Sequence, residues 1–168
     1  MLETWRSLER MLRRYYPQKL RSLNGPALTR DLKKLEETIG ITLPKQMKDS
    51  YRIHDGQTAT AINEMLYDHE ELLSIDHIIR EWREWQEMAA GGAFSYKMPV
   101  AAHGIKPLWW HPLWIPITSN GAGGYHCIDL DPAEGGRRGQ IIHVDRRGAA
   151  RMVVARSLRT LLEGWSVE

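Results

Sequence analysis

Two carboxylates, Asp129 and Asp131, stand two residues apart in the run Ile128-Asp129-Leu130-Asp131-Pro132. On a strand that spacing puts both on one face, with Cys127 beside them by alternation. Carboxylates so placed can hold a divalent cation or exchange protons with a substrate, so a metal-dependent hydrolase using Asp129 and Asp131 is one reading of the chain. Against it, Asp-Pro-x-Glu-Gly-Gly is ordinary turn chemistry in which the aspartate accepts backbone hydrogen bonds, and His126 falls on the opposite face of the strand. His54-Asp55 sets a base beside a carboxylate. Adjacent residues seldom reach catalytic geometry, however, and no serine stands in a nucleophile elbow. A histidine held at a helix end is the simpler expectation. Gly121-Ala122-Gly123-Gly124 lacks the lysine and hydroxyl of a phosphate-binding loop and reads as a hairpin turn. These residues lead us to expect a protein that is not an enzyme and uses no cofactor or metal.

Binding is the other chemistry on offer. Trp109, Trp110 and Trp114 crowd around His111 and two prolines, so they either pack a core or, if partly exposed, line a groove for a protein partner. From Ile53 to Ile79 there is no Lys or Arg, while Asp55, Glu64, Asp68, Glu70, Glu71 and Asp76 supply six carboxylates. Arginines gather instead near the two ends, among them Arg6, Arg10, Arg13 and Arg14, then Arg137, Arg138, Arg146 and Arg147. Opposite solvated faces explain this, and so does electrostatic steering of a basic partner by the acidic part. The candidate partner-binding residues are therefore Asp55, Glu64, Asp68, Glu70, Trp109, Trp110 and Trp114.

With 168 residues and a formal charge of +2, the chain is expected to be one domain over residues 1–168, with no nucleic-acid partner. Its one cysteine, Cys127, allows no internal disulfide, which fits a reducing compartment, and the charge-interleaved N-terminus is neither a signal peptide nor a membrane span. A cytoplasmic location is expected.

The elements that must position these residues follow from periodicity and punctuation. Leu2, Trp5, Leu8, Leu12 and Tyr15 predict a helix over 2–16 stopped by Pro17, and Leu28, Leu32, Leu35 and Ile39 predict a second capped by Gly40. Pro44 opens a third, closed by Asp55-Gly56-Gln57. Met65–Tyr67 and Leu72–Leu73 read as short strands or extended loop. Ser74 or Asp76 caps a fourth helix bearing Ile78, Ile79, Trp82 and Trp85. Residues 93–108 read as a loop. Strands are predicted near Trp114–Thr118, at Tyr125–Leu130, Gln140–Val144 and Met152–Ala155, with Pro116 confining the first to an edge. Ser157 caps a closing helix. The class is α+β: N-terminal helices packed on an antiparallel meander, then one C-terminal helix.

Leu43-Pro44, Tyr51-Arg52-Ile53-His54-Asp55-Gly56-Gln57, Trp114-Ile115-Pro116-Ile117, Ile128-Asp129-Leu130-Asp131-Pro132, Gly139-Gln140-Ile141-Ile142 and the Ser157-Leu158 helix start together resemble the SMI1/KNR4 family of the SUKH superfamily. The resemblance spans nearly the whole chain and implies an α+β fold with a binding rather than catalytic activity. His54, Asp55, Gly56, Trp114, Pro116, Gly124, Asp129 and Asp131 carry the family pattern as structural signatures. It further implies a protein partner: a cognate toxin domain if the chain is an immunity protein, or wall-synthesis proteins if it is a cell-wall regulatory scaffold. The toxin reading is the one expected here. Steering then predicts that charge reversal at Glu64, Asp68 and Glu70 slows association and weakens its salt dependence in stopped-flow kinetics.

Overall fold

The computed structural model describes residues 1–67 and 69–166. Helix α1, Leu2–Tyr15, buries Trp5, Leu8 and Leu12 along the stripe read from the sequence. Pro17 ends α1 but does not end helical structure. It occupies the first position of a short second helix, α2 (Pro17–Ser22), where a missing N–H leaves nothing unpaired. Helix α3, Thr29–Ile39, closes on Gly40 at φ +78°, and α4, Lys45–Tyr51, begins directly after Pro44.

A single 3-10 turn at Ile62–Glu64 leads to strand β1, Glu71–Leu72. Met65–Tyr67, expected as a strand or extended loop, holds no strand: Tyr67 bridges back to Glu70 around His69, whose φ is +65°. Ser74 caps helix α5, Ile75–Ala90, its hydroxyl accepting from the His77 N–H at 3.4 Å. No helix among the described residues is long and apolar enough to cross a membrane.

The remaining strands are β2 (Val100–Ala101), β3 (Trp114–Pro116), β4 (Thr118–Ser119), β5 (Gly124–Asp129), β6 (Gln140–Asp145) and β7 (Ala150–Ala155), followed by α6, Leu158–Trp165, capped by Ser157. Five strands make one sheet in the order β2-β7-β6-β5-β3, and β1 pairs with β4 beside it. The meander of β3, β5, β6 and β7 is antiparallel throughout, with Pro116 on its edge strand as its missing donor requires. The stretch 93–108 is not all loop. Val100–Ala101 joins the sheet as a parallel partner of Ala150–Arg151, a pairing too short and too distant in sequence to leave a periodic signal.

Neighbouring residues on the strands feed two different hydrophobic cores. Ile115, Ile128 and Ile141 face the helices α1, α3, α4 and α6, packing with Trp5, Leu35, Met47 and Leu162. Trp114, Cys127 and Ile142, one step away on each strand, face Trp85 of α5 and the segment carrying Ile105, Trp109 and Trp110. Helix α5 serves both cores, with Ile75, Ile78 and Ile79 in the first and Trp85 in the second, and the 105–110 segment closes the second.

The turn after α4 locks these parts together. Gly56 is buried at φ +63°, and a Cβ there would lie 2.4 Å from the backbone of Leu73 and Ser74. Gly56→Ala is therefore expected to combine left-handed strain with a backbone collision and cost about 3 kcal/mol or more. Gly40→Ala, with open space around it, should cost only the strain, roughly 1–2 kcal/mol. Urea denaturation of the two variants measures the difference.

Candidate functional site

The His54-Asp55-Gly56 turn is a latch rather than a catalytic pair. Both ring nitrogens of His54 are held, Nδ1 donating to the Asn24 carbonyl at 2.7 Å and Nε2 lying 2.8 Å from Glu9 Oε1 on α1. The Trp5 ring stands edge-on to the imidazole at 4.8 Å, and its indole N–H donates to Ser50 at 2.8 Å. Asp55 turns away from His54 and accepts from the Ile75 N–H at 2.8 Å, satisfying the first turn of α5. Burial raises its carboxyl pKa, an effect the Ile75 hydrogen bond opposes.

Asp129 and Asp131 likewise separate into two jobs. Asp129 is fully buried at the end of β5; its Oδ1 accepts from the Asp131 N–H at 3.0 Å and its Oδ2 from Gln140 Nε2 at 2.9 Å. Gln140 Nε2 also reaches the Gly104 carbonyl at 3.0 Å, so one carboxylate and one amide stitch together three chain segments. Desolvation raises the Asp129 pKa. Asp131 lies beyond the strand, hydrogen-bonded to Lys106 and 3.2 Å from His111 Nε2, and the Lys106 bond lowers its pKa. Cys127 points into the second core instead, where burial raises its thiol pKa. Cys127, Asp129 and Asp131 thus do not share the one face on which the alternative hydrolase reading would place them.

Of the two readings of the tryptophans, core or exposed groove, the structure has them in the core. Trp114 is fully buried, while Trp109 and Trp110 are each 8% exposed. Trp110 stacks on Trp85 at 4.7 Å and its N–H donates to Gln86 at 2.6 Å. Arg151 is buried with them, 4.7 Å from the Trp109 ring, and donates to the Trp109 carbonyl at 2.7 Å and the Gly148 carbonyl at 2.7 Å. Burial lowers its pKa only to about 10, so the guanidinium stays charged. Arg146 holds Glu81 at 3.1 Å and Glu84 at 2.8 Å on α5. Pro116 and Gly124 are buried in the sheet, and Gly124 donates to Asn120 Oδ1 at 2.9 Å across the turn.

The acidic segment does not present six free carboxylates. Asp55 caps α5, Glu64 accepts from Thr60 at 2.7 Å, Asp76 pairs with Lys34 at 3.1 Å and Glu70 is buried; Asp68 lies outside the described residues. Charge reversal at Glu70 would break the interior rather than report on steering. Sequence reasoning passed over the residue that organises this segment, Gln57. Its buried amide donates to Ser22 at 2.7 Å and to the Glu64 carbonyl at 2.8 Å, while its oxygen accepts from the N–H groups of Leu66 at 2.9 Å and Leu72 at 2.8 Å. Nothing in its local context distinguishes it from a surface glutamine.

Two further features emerge only in three dimensions. Glu70, His126 and His143 bring donor atoms within 4.8 Å of one another. Burial, and then the neighbouring His143, push the His126 imidazole down to about 4. At the other end of the sheet, β2 covers only Ala150 and Arg151, so no strand pairs on that side of residues 152–155 among the described residues. Met152, Val153 and Val154 are exposed along that open edge and Val100 on β2 is exposed next to it, while Tyr96 (98% exposed) and Met98 (82%) precede β2 on the far side of the Val100–Ala150 pair.

The sequence model of the SMI1 / KNR4 family (SUKH-1) matches residues 26–164, and the chain belongs to that family. It is 27% identical to the glucan synthesis regulatory protein of Neurospora crassa over 92% of this chain and 35% of the relative. It is 24% identical to the cell wall assembly regulator SMI1 of Saccharomyces cerevisiae, over 92% of this chain and 37% of the relative. With the cell wall biosynthesis/cell cycle regulator smi1 of Schizosaccharomyces pombe the figures are 29% identity, 92% and 33%. The chain spans about a third of the length of these relatives.

If Asp129 is a structural clasp, its charge form matters more than its shape. Asp129→Asn places an amide donor against either the Asp131 N–H or the Gln140 amide, leaving a buried donor unpaired, and should destabilise the protein by about 1–3 kcal/mol in chemical denaturation.

Proposed function

We propose that this chain is a non-enzymatic protein-binding domain that holds its partner against the open β2–β7 edge. The observation that carries this reading is the coincidence of unpaired strand backbone with large exposed apolar side chains. Unpaired edges template association with another chain, and natural proteins usually blunt them with charge or cover. Here the edge carries Val100, Met152, Val153 and Val154 instead. A strand added along residues 152–155 of β7 would gain backbone hydrogen bonds, and the exposed side chains of Met152, Val153 and Val154 would supply apolar contact.

The role that the relatives' names support is regulatory: they are regulators of glucan synthesis and of cell wall assembly. Occupying a partner's surface, rather than turning over a substrate, is the corresponding action. The same open edge also serves a second reading, neutralisation of a toxin domain, because a stoichiometric inhibitor needs a preformed apolar face to cover an enzyme's surface.

The test compares the wild-type chain with a Val100→Asp/Val154→Asp double variant as immobilised bait for native lysate. Both positions are exposed, so the variant's thermal midpoint should stay within a few degrees of wild type. Loss of the wild-type partners from the variant supports the β2–β7 surface, and equal recovery overturns it. Wall-synthesis proteins among those partners support the regulatory role, whereas one toxin-like polypeptide at near-equal amount supports neutralisation.

A further inference from the structure

We propose that Glu70, His126 and His143 form a binding site for a single zinc ion, which pins the segment after the 3-10 turn to the sheet. Three elements bring the donors together. His126 on β5 and His143 on β6 are direct partners in the antiparallel register, their rings 5.7 Å apart. The β1–β4 pairing sets Glu71 opposite Ser119 and so carries the preceding residue, Glu70, over the hairpin. All three donor atoms then lie within 4.8 Å of one another.

The second observation is an unsatisfied buried group. His126 is 7% exposed, and among the described residues nothing hydrogen-bonds its Nδ1. Glu70 Oε2 lies 3.1 Å from that nitrogen without a hydrogen bond joining them. A buried imidazole nitrogen without a hydrogen bond is costly, and a cation held at that nitrogen removes the cost. Two donors bonded to zinc at about 2.0–2.1 Å lie roughly 3.3 Å apart in a tetrahedral site. The Glu70–His126 pair is already near that spacing, and a rotation of the partly exposed His143 side chain would bring its nitrogen to the same ion from within 4.8 Å.

The surroundings are those of a supported ligand set. Thr118 donates its hydroxyl to Glu70, and the same oxygen accepts the His126 backbone N–H at 2.9 Å, fixing carboxylate and histidine relative to each other. Two imidazoles and one carboxylate suit zinc and leave a fourth position for water. Asp129 and Asp131 take no part, being engaged elsewhere. The site goes beyond the binding reading above and does not depend on it.

The experiment titrates zinc chloride into the untagged, EDTA-stripped full chain by calorimetry near neutral pH. One ion per chain is expected, with a rise in thermal midpoint. His143→Ala, at a partly exposed position that should leave the zinc-free melt unchanged, and Glu70→Gln should each weaken binding by at least about tenfold and remove the thermal shift. Cobalt(II) in place of zinc should give the intense visible bands of a tetrahedral centre in wild type and lose them in His143→Ala. Absence of saturable binding, or equal zinc affinity in wild type and His143→Ala, would overturn the assignment.

Discussion

The structure depends on a central hairpin that is buried on both faces. An antiparallel sheet commonly leaves one face in water and then shows clean apolar and polar alternation. Here Cys127, Ile128, Ile141 and Ile142 are all apolar, and successive residues serve opposite cores. That requirement explains why one helix layer is not enough. α1, α3, α4, α6 and the start of α5 cover one face, and the other is closed by Trp85 of α5 together with the tryptophan-rich segment before β3. It also explains the tryptophan density: Trp85, Trp109, Trp110 and Trp114 fill a volume that a loop segment with few small hydrophobes could not.

Closing two cores with short elements leaves many backbone groups at the seams, and the polar residues that look like chemistry satisfy them. Asp55 takes an N–H of α5, Asp129 joins β5 to the following turn, Gln57 binds four partners across the acidic segment, and Gln140 reaches the 104 turn. Each is buried or half-buried, so each hydrogen bond avoids the penalty of an orphaned interior polar group. Catalytic-looking types at seams serve structure here, which is why His54, Asp55, Gly56 and Asp129 stand at joints in the fold. The surface, relieved of these duties, is where a partner can be recognised.

Much was legible in the residues alone. Helix stripes and caps placed α1, α3, α5 and α6, because 3.6-residue periodicity, Ser74, Ser157 and Gly40 are local signals that packing only reinforces. Pro116 announced an edge, and the α+β class followed from element order. The parallel β2 pairing was not legible, since two residues meeting a strand about fifty positions away leave no local trace. The acidic run is likewise divided in space: Asp55 caps α5, Asp76 pairs with Lys34 at the surface and Glu70 lies in the interior.

What the sequence determined by itself was most of the longer elements, the α+β class and the family likeness, because each rests on patterns local to the chain. Tertiary structure alone decided which face each charged or aromatic side chain meets. Trp109 and Trp110 became core rather than groove, Asp129 and Asp131 parted, and Glu70 met His126 and His143. The physical reason is that burial and pairing are set by strand register and by which helix covers which face, and both join residues far apart in the chain.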